Sequence, residues 1–366
     1  MNFDFSEEQK LLQQTARDYL EEHCQLDAAR QVLESSAPYA SDLWKGVAEM
    51  GWLGAAIPEA YGGAGFGHLE LALIAQELGR ALAPIPFSSS VYLATEALLL
   101  AGTPEQRTRY LPGLASGERI GTLAHSEGAG RGGSPGLTTR IEGDRVSGTK
   151  IPVPDGDVAG LIVAVVRDAD ATSLALVELP CEGVDVEALD SIDPSRSQAR
   201  VTLNDAPAEI LGERGAGEDL AARLLDRAAT LMAFEQIGGA ERALSITRDF
   251  CMNRYAFGRP IASFQALKHR LADLFVAIEL AKSNAYYAAW ALQNDEPDLA
   301  TAACSARASA SDAFELASKE MIQMHGGVGF TWEYDCHLFY RRSKLLAVTL
   351  GSADLWRDRL IERLTG

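Results

Sequence analysis

Three stretches of this chain carry residue types that can grip a nucleotide. In "RYAFGRPIASFQALKH", Arg254 to His269, an arginine at a helix end precedes Phe257-Gly258 and then Pro260, Phe264 and Gln265. A guanidinium held there can bind a phosphate through two parallel N–H donors, and an aromatic ring can cover an adenine or ribose. In "QMHGGVGFTWEY", Gln323 to Tyr334, the glycines Gly326, Gly327 and Gly329 let backbone approach a ligand closely. A plain helix–helix turn needs glycines too, so these alone do not choose between the two roles. The third stretch is the Gly-rich loop "IPEAYGGAGFG", Ile57 to Gly67.

A fourth stretch is informative for what it lacks. In "KLLAVTLGSADLW", residues 344 to 356, a helical pattern breaks at Gly351-Ser352 and resumes, with no Glu and with its single Asp, Asp354, beyond the break. No metal is expected. The six histidines have no ligand spacing, His325 and His337 form too isolated a pair, and the five cysteines lack any C-x-x-C arrangement. They read as reduced, mostly buried thiols.

The elements that must hold these stretches fall into three textures. Ser6-Glu7-Glu8-Gln9 and Thr103-Pro104-Glu105-Gln106 are capping boxes opening helices, the second with Pro at the first helical position. "DLWKGVAEMGWLG" and "LELALIAQELGRALAP" between them have apolar faces of helical period. Residues 1–118 therefore read as an α-helical domain. From Ile120 short β-branched runs punctuated by Gly, Asp and Pro indicate an antiparallel barrel or sandwich over 119–213. The helical period returns over 214–366, with loops near Gly258-Arg259-Pro260, Asn294 to Pro297 and Gly326-Gly327, as expected of a four-helix bundle. The fold class is mainly α with a central β-domain.

A formal net charge of -18 argues against nucleic acid, whose binding draws on clustered Lys and Arg. With 47% hydrophobic and 23% charged residues the balance is that of a folded globular protein. There is no apolar run of about 18 residues and no basic start leading into an apolar core, so no membrane partner and a cytoplasmic location are expected.

Taken together, P-E-x-Y-G-G-x-G, R-x-x-F-G-x-P-I-x-x-F-Q and Q-x-x-G-G-x-G-F resemble the motifs of the acyl-CoA dehydrogenases, over nearly the whole chain and in that family's domain order. The resemblance implies FAD, tetramers built as pairs of dimers, and α,β-desaturation of an acyl-CoA thioester. It further implies that one subunit holds the flavin ring and the acyl chain, while its neighbour grips the pyrophosphate and adenosine end. On the neighbour's side Arg254, Phe257, Gly258, Gln265, Gln323, Gly326 and Gly327 occupy the matching positions.

On the ring side the match fails three times. The family's T-E-P-x-A-G-S-D loop corresponds to "HSEGAGRG", residues 125 to 132, where only Gly128-Ala129-Gly130 survives clearly. The G-x-K-x-W-I-T-N-G strand corresponds to Gly148 through Gly156, with Pro152 at the Trp position and Pro154 at the Thr position, so an N–H is lost at both and a hydroxyl at the second. Where members with a C-terminal base read Y-E-G-T, this chain has Thr349-Leu350-Gly351-Ser352, and leucine accepts no proton. The alternative base position, on the first long helix of the last domain, falls on Ala228. Glu235 lies two turns on, roughly 10 Å along the axis, and Asp226 points to another side of the helix.

One half-site kept and the other lost points to a subunit of a heteromeric acyl-CoA dehydrogenase, lending its adenosine half-site to a homologous catalytic partner. It looks similar to the non-catalytic members of α2β2 enzymes that shorten steroid side chains. The alternatives are a self-sufficient homotetramer using Glu235 or Asp226 on straight-chain or branched acyl-CoA, and a structural paralogue without redox chemistry.

Overall fold

Ser6 opens the first helix with the reciprocal pair its sequence predicts. The Gln9 N–H donates to Ser6 Oγ at 3.2 Å, and the Ser6 N–H donates to Gln9 Oε1 at 3.0 Å. Thr103 and Gln106 repeat the arrangement at 3.2 and 3.0 Å. Each such cap stabilises its helix by about 1 kcal/mol.

The computed structural model describes residues 5–128 and 136–365. Among them the helices are α1 Glu7–His23, α2 Leu26–Glu34, α3 Ser41–Glu49, α4 His68–Arg80, α5 Glu96–Ala101, α6 Pro104–Ala115, α7 Gly217–Asn253, α8 Gln265–Gln293, α9 Leu299–His325, α10 Cys336–Val348 and α11 Ala353–Thr365. The strands are β1 Gly121–Ala124, β2 Arg140–Glu142, β3 Arg145–Pro154, β4 Leu161–Asp168, β5 Ala171–Glu178, β6 Val184–Ala188, β7 Gln198–Pro207 and β8 Glu209–Leu211, followed by the two-residue β9 Tyr255–Ala256 and β10 Arg259–Pro260. The chain forms two compact units: Met1–Gln31, His68–Ala83 and Ala229–Gly366 make one, Val32–Gly67 and Pro84–Ala228 the other. These units cut across the three segments read from the sequence, since α7 contributes to both.

The helical unit is built on glycine and alanine contacts. A Cβ at Gly79 of α4 would lie 1.8 Å from the Glu235 carbonyl of α7, and one at Gly238 would lie 1.8 Å from the Gln76 carbonyl, so the two backbones touch where they cross. In α9 Ala303, Ala306, Ala310, Ala313 and Ala317 are all buried and let neighbouring helices in close. Side-chain hydrogen bonds set the registers, Gln13 of α1 donating to Glu77 of α4 at 2.9 Å and Asn284 of α8 to Ser309 of α9 at 3.1 Å. None of the five cysteines is in a disulfide among the described residues, and Cys24, Cys251, Cys304 and Cys336 are buried.

In the other unit the strands form one sheet in the order β6-β7-β3-β2-β4-β5-β8, with β1 on β4. Among the described residues its hydrogen-bonded order runs from β6 at one end to β8 at the other. It is also mixed where an antiparallel arrangement was expected: β1 and β2 pair parallel with β4, and the chain between β1 and β4 is long enough for the crossover that parallel pairing demands. A π-helix, Ser88–Thr95, packs on β1, where the Gly121 N–H donates to Ser90 Oγ at 3.2 Å.

Candidate functional site

The end of α7 leads into the smallest hairpin in the chain. Ala256 pairs with Arg259, leaving Phe257 and Gly258 at the corners with φ of 54° and 75°. A two-residue turn requires such angles. Glycine adopts them freely, whereas an aromatic residue does so at a cost of order 1–3 kcal/mol. The Phe257 ring is 94% exposed, touching Phe264 edge-on at 6.2 Å, and the Arg259 guanidinium lies 4.1 Å over Phe264. A strained backbone thus holds an aromatic ring out in water.

The backbone of Arg254 is fixed on both sides, its N–H donating to Phe250 O and its carbonyl accepting from the Ile261 N–H, each at 2.8 Å. Its guanidinium is exposed and has no hydrogen bond or ion pair among the described residues. Gln265, also exposed, opens α8. Phe250 stacks on His325 at 4.1 Å, which sets the ends of α7 and α9 side by side. Arg254 and Gly326 therefore emerge at the same end of the unit.

The glycines after α9 are there for different reasons. Gly329 is packing, because a Cβ there would lie 2.6 Å from Ile322 O. Gly326 is conformational, with φ 64° and ψ -139°, its N–H donating to the carbonyl of the exposed Gln323. Gly327 is neither: a Cβ would meet nothing within 4 Å.

The sheet unit is arranged differently. Lys150 on β3 is fully buried and lies 2.8 Å from Glu127 in the segment that corresponds to the family's flavin loop. Glu127 also accepts from Thr138 N at 2.7 Å, Thr138 Oγ1 at 2.6 Å and Thr139 N at 2.9 Å. Burial pushes this carboxyl up, but the hydrogen bonds from Lys150, Thr138 and Thr139 outweigh it and hold the group at about 2. The β3–β7 register breaks between Lys150 and Val153, where Pro152 has no N–H to give, and the Pro154 carbonyl accepts from Thr122 Oγ1 at 2.5 Å. Ala129 and Gly130 lie outside the described residues. Sequence reasoning missed this ion pair, although a Glu where relatives have Pro and a Lys in the adjoining strand were its two signals.

Leu350, where the resemblance would place the base, adopts φ 65° between α10 and α11, followed by Gly351 at 101°. Trp356 Nε1 donates to the Leu350 carbonyl at 3.2 Å. The fully buried Arg307 closes the end of α10, donating to Thr349 O at 2.6 Å and to Leu346 O, with Ser311 Oγ at 2.8 Å and Gln236 Oε1 as its other acceptors. Burial pulls this guanidinium down to about 10, against the charge of Glu235. Glu235 is itself 3% exposed, with Oε1 3.9 Å from Arg342. Asp226 is buried on α7 beside Arg227, which pairs with the buried Glu96 at 2.7 Å, and Ala228 is buried as well.

Residues 6–118 match the acyl-CoA dehydrogenase N-terminal domain and residues 215–365 the C-terminal domain. The chain is 35% identical over 350 residues to the acyl-CoA dehydrogenase IpdE2 of Mycobacterium tuberculosis, spanning 95% of this chain and 93% of that protein. A chain of the Tcur3481-Tcur3483 steroid ACAD superposes with a TM-score of 0.89 at 33% identity, covering 97% of each. A chain of the ChsE4-ChsE5 complex from Mycobacterium tuberculosis does so at 0.91 and 28%, covering 100% of this chain and 99% of that one. The chain belongs to the acyl-CoA dehydrogenase family, whose members are FAD-dependent oxidoreductases.

Against the chemistry of FAD, the two sets of residues differ. An unengaged guanidinium, a solvent-held aromatic ring and open space at Gly327 suit a pyrophosphate and adenosine. A strand without N–H at two positions and a loop carboxylate already engaged do not suit the polar edge of a flavin ring.

Proposed function

We propose that this chain is the non-catalytic member of a heteromeric acyl-CoA dehydrogenase, contributing the adenosine and pyrophosphate half of an FAD site to a homologous partner subunit. The observation that carries this reading is the contrast between Arg254, fixed in its backbone and free at its guanidinium, and Leu350, an aliphatic side chain at the position of the base. Arg254 would bind the pyrophosphate, and Phe257 would cover the adenosine. Gln265, Gln323, Gly326 and Gly327 would complete the surface. Bound there, FAD would supply the hydride acceptor for desaturation of the thioester. On this reading the proton acceptor and the ring pocket belong to the partner, and Glu235 stays a structural charge beside Arg342.

Relatives named as two-chain assemblies support the heteromer, and one named as a steroid ACAD supports an acyl-CoA with a steroid side chain as substrate. The test is flavin content. Purified alone, the chain is expected nearly colourless; coexpressed with a homologous partner, it is expected in a yellow complex that reduces a dye with acyl-CoA. One FAD per chain and activity in the isolated protein would overturn the proposal in favour of a homotetramer. A colourless complex would leave the structural paralogue.

A further inference from the structure

Near the C-terminal end of α4, in the helical unit, a cavity of about 560 Å³ is lined by Arg17, Cys24, Glu77, Arg80, Arg242 and Asp335. Its volume is in the range of small-molecule pockets. Three guanidinium groups and four carboxylates line it, and two of those carboxylates are already paired. Glu77 is held by Arg17 through bonds of 3.0 and 2.7 Å and by Gln13. Asp335 pairs with Arg30 at 2.6 Å, and Glu241, the other carboxylate near Arg80, pairs with Lys282 at 2.8 Å. Arg80 and Arg242 are half-buried, and neither has a hydrogen bond or ion pair among the described residues.

Two neighbouring cations with no ion-pair partner among the described residues repel each other and lose hydration to the walls. Burial, together with the charges of Arg17 and Arg242, holds Arg80 below the usual arginine range. Among the described residues of the wall, no carboxylate makes an ion pair with Arg80 or Arg242. Burial pushes the Cys24 thiol up to about 12 against the pull of Arg342, so it stays protonated, and Glu21 and Asp27 sit exposed at the rim. A monocarboxylate would balance one arginine. A phosphoryl dianion balances both and presents oxygens in the spacing that guanidinium forks fit.

We propose that this cavity binds a phosphoryl dianion, borne by a small phosphomonoester or supplied as free phosphate, with Arg80 and Arg242 as its ligands and the Arg17–Glu77 pair as a neutral wall. The site is separate from the half-site proposed above and does not depend on it.

Calorimetric titration of the full chain, above the second ionisation of phosphate, tests this with inorganic phosphate and with glycerol 3-phosphate as probes. Saturable one-to-one binding is expected, weakened about tenfold or more in Arg80→Gln and in Arg242→Gln. Tighter binding of the ester identifies a phosphorylated metabolite, and equal binding identifies free phosphate. In phosphate-free buffer Arg80→Gln is expected to keep or raise the thermal midpoint, because it removes an unpaired charge, and Arg242→Lys is expected to fold while binding phosphate more weakly. The proposal is overturned if phosphate shows no saturable binding or if neither substitution weakens it. It is equally overturned if both Gln variants lose the fold, which would make the arginines structural.

Discussion

Lys150 and Glu127, 23 positions apart and 2.8 Å from each other, form an ion pair whose cation is wholly out of solvent. In the segment that resembles the family's flavin loop, this chain ties its polar atoms to one another. Glu127→Gln would leave a buried ammonium without its counter-charge, and a loss of about 3 kcal/mol is expected in urea unfolding. The double variant Glu127→Gln with Lys150→Met should lose less than the sum of the single variants.

The pair also sets an acid dependence. Glu127 titrates at about 2 in the folded chain against an ordinary 4.5. Because the folded value is the lower one, unfolding takes up a proton in acid. The stabilisation is complete above 4.5 and fades as pH falls from there toward 2. The gap in urea midpoint between wild type and Glu127→Gln should therefore narrow over that window. A gap that stays constant would show that the charge contributes nothing.

Phe257 combines strain with exposure, so replacing it separates stability from binding. Phe257→Asn relieves the positive φ and is expected to stabilise the isolated chain by about 1 kcal/mol. The same variant should lower flavin retention in the coexpressed complex. Thermal midpoint and flavin absorbance read the two effects, and a midpoint that falls would contradict the assignment of strain.

Arg254 has no side-chain partner to lose among the described residues. Arg254→Gln should change the stability of the isolated chain by no more than about 0.5 kcal/mol. FAD binding by the complex should weaken about tenfold or more, the scale of a charge-assisted hydrogen bond to phosphate. Unchanged flavin affinity would remove Arg254 from the half-site.

A carboxylate introduced at Leu350 is not expected to make the isolated chain active on acyl-CoA. In Leu350→Glu the prolines at 152 and 154 still withhold their N–H groups and Glu127 stays bound to Lys150. The isolated variant should remain without flavin absorbance and without dye reduction by acyl-CoA. Activity gained from this one substitution would show that the base was the single missing part.

Much of this was legible in the residues. Ser6 and Thr103 start helices because the cap and its partner lie three positions apart, a distance that local chain geometry closes by itself. The break at Gly351 is local in the same sense. The mixed pairing of β4 with β1 and β2 was not legible, because strand runs show that a sheet forms and not which edges meet. Nor did the glycines after α9 separate into packing, conformational and unconstrained positions until their neighbours were known.

By itself, then, the order of residues determined the helix–strand–helix succession and the family, and it supplied the motif positions on which the proposed half-site rests. Which charge answers which was decided only in three dimensions. Glu127 belongs to Lys150, Arg17 takes Glu77, and Arg80, Arg242 and Arg254 are left over among the described residues. The physical reason is that an ion pair needs contact within about 4 Å, and contacts of that kind join residues that the chain itself places tens of positions apart.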